Sequence, residues 1–105
     1  MVSKNIYTVD EIKTALSNIL INTPVKKAIL FGSYAAGKAT KDSDIDILID
    51  SKGMLTGLNF YGVYEDIASV FLKHVDLIEA YDLDEASALY KDIDQKGVVV
   101  YDQEK

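Results

Sequence analysis

Residues 25–50 read VKKAILFGSYAAGKATKDSDIDILID, and this stretch decides the architecture. From Val25 to Phe31 it is a β-rich run bounded by turn residues, the pattern of a buried strand. Gly32 stops that strand, Ser33 is placed to cap a short helical turn over Tyr34-Ala35-Ala36, and Gly37 closes the turn. Lys38 to Ser43 is a polar loop. Asp44 to Asp50 then alternates acid and aliphatic at its start, as a strand with one polar and one apolar side does. The connection between the two strands is too short for an ordinary parallel crossover, so the pair is expected to run antiparallel.

On the amino-terminal side, Thr8 and Glu11 have the spacing of a capping box, and Ile12, Leu16, Ile19 and Leu20 continue with helical period, which predicts a helix from Val9 to about Leu20. On the carboxy-terminal side, Leu58 to Leu72 places Phe60, Tyr64, Ile67 and Phe71 on one helical face, with Tyr61 and Ala68 beside it. Val75 to Tyr81 reads as a strand. Asp82 with Glu85 reads as the cap of a helix running to about Gln95, and Gly97 to Tyr101 as a last strand. Helices and strands that alternate without repeats or linkers predict an α+β (α/β) fold: a single domain over residues 1–105, its mixed sheet of about four strands carrying helices.

Composition narrows the chemistry. At 105 residues and 49% apolar content the chain is suited to one ordinary core. No stretch approaches the run of about 20 apolar residues that spans a membrane, and Met1-Val2-Ser3-Lys4-Asn5 lacks a signal peptide's apolar segment, so a cytoplasmic protein is expected. There is no cysteine and one histidine, His74, which excludes thiolate nucleophiles and histidine-rich zinc sites. A formal charge of −6 opposes binding to long nucleic acid. All eleven basic residues are lysines, so the chain has no bidentate arginine clamp of its own. Phosphate would have to be held by lysine, backbone amides or a metal.

Asp44 and Asp46 stand at i and i+2 on a strand and should project to the same side of the sheet. Two carboxylates that close repel unless a cation lies between them. Hard oxygen ligands beside a phosphate site favour Mg²⁺, and the Gly32-Ser33 turn offers backbone amides and a small hydroxyl that phosphate oxygens can approach closely. Simpler uses stand beside these. An Asp-Ile-Asp pair often serves only solubility, and Ser33 can be an N-cap and nothing more. His74, at a helix–strand junction, is by default exposed or a C-terminal cap. Asp50 reads as a loop cap and Lys26-Lys27 as a solvated strand start. Glu79, on the strand face opposite Asp76, reads as structural. The seven tyrosines are more often core than a stacking platform, with Tyr34 placed beside the phosphate turn.

Gly32-Ser33, ten intervening residues and then Asp44-Ile45-Asp46 resemble the signature of minimal nucleotidyltransferase (MNT) domains of the DNA polymerase β-like superfamily. Ala35, Gly37, Ala39, Ser43 and Ile47 also fit that family's pattern, and Val75-Asp76-Leu77-Ile78 resembles its third acidic strand. The resemblance implies that Asp44, Asp46 and Asp76 are catalytic and hold one or two Mg²⁺ ions, with Asp76 a candidate base. It implies that Gly32 and Ser33, with Lys38 and Ser43, bind the nucleotide. Many members carry an arginine just before the motif's second glycine, where this chain has Ala36, and Lys38 or Lys41 is a candidate replacement. MNT domains of this size are similar to antitoxins that transfer AMP from ATP to a tyrosine of a HEPN-type RNase toxin, which makes ATP and such a toxin the expected partners. Two alternatives stay open: an inactive module that neutralises its partner by contact, and a transferase for a small hydroxylated molecule such as an aminoglycoside.

Overall fold

The computed structural model describes residues 6–104; the Met1–Asn5 segment read above for a signal peptide lies outside them. Four strands form one sheet in the order β3-β2-β1-β4. β1 (Lys27–Phe31) and β2 (Ile45–Asp50) pair antiparallel, as their short connection requires. β3 (Val75–Glu79) runs parallel to β2, and β4 (Val98–Asp102) pairs antiparallel with β1, so the sheet is mixed.

Strand alternation divides the sheet into two faces. The cross-strand pairs Ala28↔Ile49 and Leu30↔Ile47 are fully buried, and Ile45, Val75 and Val100 join them in the core. Against this face pack α1 (Val9–Leu20), through Ile12, Leu16 and Leu20, and α3 (Gly57–Phe71), through Val63, Ile67 and Phe71. α1 begins where the capping box predicts: Glu11 N–H donates to Thr8 Oγ1 at 3.0 Å, and Glu11 Oε1 accepts from Thr8 N–H at 2.8 Å. The Tyr7 hydroxyl donates to Phe71 O at 2.6 Å with the two rings edge-on, tying the start of α1 to the end of α3.

The other face carries Lys27↔Asp50, Ile29↔Leu48 and Phe31↔Asp46. α4 (Ala88–Lys96) covers part of it, with Ile93, Ile29 and Leu48 around one small cavity. α4 starts five residues later than the Asp82–Glu85 reading predicts, with its cap at Ser87 instead of Asp82. Residues Ala80–Asp82 instead form a 3₁₀ turn, and Ser87 caps α4 by accepting from Tyr90 N–H. The reason is Glu79. Its carboxylate, 5% exposed, accepts from the Ser51 N–H, the Ser51 hydroxyl and the Tyr81 N–H, and so fixes the chain just past β3 in a tight turn. Gly97, read above as the start of a strand, is the C-cap of α4, its N–H donating to Ile93 O at 2.8 Å.

Glu79 is thus structural in the way its strand parity implies. Glu79→Ala strands several buried or half-buried donors and is expected to lower stability by about 2–4 kcal/mol, read as a lower urea midpoint at unchanged slope. Glu79→Gln, which keeps an acceptor, should lose less.

Candidate active site

The site lies on the second face, at the end of β2 that α4 leaves open. β1 is stopped by Gly32, which at φ +73° turns directly into a four-residue helical turn, α2 (Gly32–Ala35). Ser33 is the second residue of that turn. The N-cap is Phe31, with no side-chain hydrogen bond, so the expected capping role of Ser33 is not the one it has. Gly32 has to be glycine for a second reason: a Cβ there would collide with Asp46 Oδ2. Turn and carboxylate are therefore in direct apposition.

Register brings in the third acid. In the parallel β2–β3 pair, Ile45 faces Val75 and Asp46 faces Asp76, so one step earlier Asp44 comes to lie beside His74. Ile45 N–H donates to His74 O at 3.0 Å and holds that alignment. His74 Nδ1 is 3.4 Å from Asp44 and 3.8 Å from Asp76. Asp46 is half-buried and faces Asp76 across the strand pair. Its carboxyl is pushed up to about 6, first by burial, then by the hydrogen bond and charge of Asp76 and by the charge of Asp44, with His74 opposing.

The donor set fits a hard divalent cation. One ligand atom each from Asp44, His74 and Asp76 lies within 4.8 Å of the others, and the mutual repulsion that raises Asp46 is what a cation between the carboxylates would relieve. Distance thus groups His74 with the acids, a residue that sequence reading set aside as a junction histidine. Residues 74 and 76 share parity as 44 and 46 do, but only the β2–β3 register sets His74 beside Asp44.

A cleft of about 280 Å³ opens beside Gly32, lined by Gly32, Ser33, Ala36, Lys38, Asp92 and Lys96 and by none of the three aspartates Asp44, Asp46 and Asp76. Lys38 therefore stands at the turn. Lys41 does not line this cleft; its carbonyl accepts from Lys73 Nζ at 2.7 Å, which ties the loop to the segment before β3. The Ser43 hydroxyl accepts from Thr40 N–H at 2.8 Å and shapes the loop that delivers Asp44. Tyr34 is 5% exposed and belongs to the core. Asp50 Oδ1 accepts from Lys52 N–H at 3.0 Å, the loop cap its position predicts.

Comparison with known proteins bears on the family and the fold. A Methanocaldococcus jannaschii protein provisionally named a protein adenylyltransferase is 34% identical over 70 residues, 67% of this chain and 75% of its own length. A crystal structure of a toxin–antitoxin complex with AMP-PNP superposes with a TM-score of 0.73 at 22% identity, over 86% of this chain and 73% of that one. The complex of a tri-AMPylated Shewanella oneidensis HEPN toxin with its MNT antitoxin gives 0.69 at 18% identity, over 92% and 75% of the two chains. At such identities the structures establish a shared fold. Residues 11–105 match the family model described as polymerase beta, nucleotidyltransferase, which is nearly the whole chain, and the protein belongs to that nucleotidyltransferase family.

Proposed function

We propose that the protein is a Mg²⁺-dependent cytoplasmic adenylyltransferase that moves AMP from ATP to a tyrosine hydroxyl of a partner HEPN-type toxin, acting as that toxin's antitoxin. The observation that carries this reading is the convergence of Asp44, Asp46 and Asp76 on one sheet face with the Gly32–Ser33 turn in contact with Asp46. The toxin–antitoxin complexes that share the fold, and the adenylyltransferase name of the archaeal relative, support the partner and the transferred group.

One or two Mg²⁺ held by Asp44, Asp46 and Asp76 would neutralise charge on the phosphate oxygens and on the departing pyrophosphate. The protein's own part is placement. Gly32 and Ser33 would hold the β and γ phosphates through backbone amides and the serine hydroxyl, with Lys38 adding charge. The tyrosine oxygen then attacks the α-phosphorus as its bond to pyrophosphate breaks, and Asp76, exposed at the mouth of the site, takes the phenolic proton. Ala36 favours one second reading, a module that neutralises its partner by contact alone.

The two are separable. With Mg²⁺ and ATP labelled in the α-phosphate, the cognate toxin should acquire label on tyrosine, and Asp44→Ala should remove that label without weakening the complex. A toxin that binds but stays unlabelled with the unmodified chain would leave only the contact module standing.

A further inference from the structure

The cleft beside the Gly32–Ala35 turn is lined by one cation that follows the turn, Lys38, and by a second that comes from α4. The cleft separates the Gly32–Ala35 turn from the last turn of α4, and Lys96 projects from that last turn. Among the described residues, Lys38 and Lys96 are the two lysines that line it.

The position of Lys96 is set by packing. Gly97 ends α4 where a Cβ would strike both the Ile29 side chain and Ile93 O, so the end of the helix is pressed against β1. β1 is also the strand that ends in Gly32, and the two walls are consequently built on one support. Lys96 pairs with Asp92 one turn earlier at 3.2 Å, with both side chains more than half exposed. Such a solvated pair is weak and readily exchanged for a more highly charged partner. An incoming triphosphate tail is such a partner, carrying several charges where Asp92 carries one.

We propose that Lys96 is a cation that receives the terminal phosphates of the bound nucleoside triphosphate, supplying from α4 a second charge beside that of Lys38. This rests on the nucleotide reading of the site above. Lys96 would distinguish nucleotides by phosphate number, because the cleft it lines includes none of Asp44, Asp46 and Asp76, where the α-phosphate would be placed.

The test is equilibrium binding of ATP and AMP, each with Mg²⁺, to the unmodified chain and to Lys96→Gln, Lys96→Arg and Asp92→Asn. Lys96→Gln should weaken ATP by about tenfold or more and leave AMP within about twofold, while Lys96→Arg stays near the unmodified value. Asp92→Asn, which frees the ammonium, should tighten ATP a few-fold. Thermal midpoints of the variants should match the parent, since Lys96 is exposed. Failure of the unmodified chain to bind Mg-ATP would overturn the nucleotide reading together with this role. Binding that Lys96→Gln leaves unchanged, or weakens equally for ATP and AMP, would overturn the role of Lys96 alone.

Discussion

Asp46→Asn is expected to reduce AMP transfer by about three orders of magnitude while making the metal-free protein more stable. The first effect follows from removing a carboxylate that faces Asp76 across the strand pair and abuts the Gly32 turn, where the proposed transfer would need charge on the phosphoryl group to be neutralised. The second follows from burial, and then from the neighbouring Asp76 and Asp44, which together hold the Asp46 carboxyl at about 6 against an ordinary 3.8. Because folding raises the proton affinity of this group, the folded state loses stability as pH rises from about 4 through 6 and holds at that lower level above it. Asparagine is neutral throughout. Metal-free Asp46→Asn should therefore exceed the parent by about 1 kcal/mol at pH 7.5, after allowance for the solvent that reaches this half-buried group, and match it near pH 4. Thermal melts in EDTA at the two pH values read this directly. Adding Mg²⁺ should raise the melting temperature of the parent and move the variant little. A variant that is no more stable than the parent at pH 7.5 would mean that neither burial nor the neighbouring acids disfavour the charged Asp46 carboxylate.

Much of this was legible in sequence because it depends on local rules. The parity of Asp44 and Asp46, the strand stop at Gly32 and the capping box at Thr8 and Glu11 each involve residues within a few positions of one another, and each appears where those rules place it. What was not legible depends on partners distant in the chain. His74 joins the acids only through the β2–β3 register, which no local pattern states. The start of α4 moved because Glu79 binds the backbone on both sides of itself, at Ser51 and Tyr81, and a buried carboxylate overrides the weaker preference of Asp82 and Glu85 for a cap. Lys96 reaches the cleft only because Gly97 lets α4 press on Ile29. The sequence marked the acids and the turn; the sheet decided what stands around them.

Gly32→Ala is the other change with a large expected effect, and comparison with Gly37 isolates its cause. Both glycines have φ +73°, a conformation in which any Cβ is strained. They differ in what that Cβ meets: at Gly37 there is nothing within 4 Å, whereas at Gly32 it meets the Asp46 carboxylate. Gly37→Ala should therefore lose only the backbone term, about 1 kcal/mol, and keep most of its transfer activity. Gly32→Ala carries the same term plus a collision that either unwinds α2 or drives Asp46 from Asp76, for a total of about 2–3 kcal/mol. A displacement of that kind at the reacting centre should reduce transfer by about a hundredfold or more. Urea midpoints and initial transfer rates for the two variants, measured side by side, separate the contributions. Equal loss of transfer in both would show that backbone conformation alone, and not contact between the turn and Asp46, governs the site.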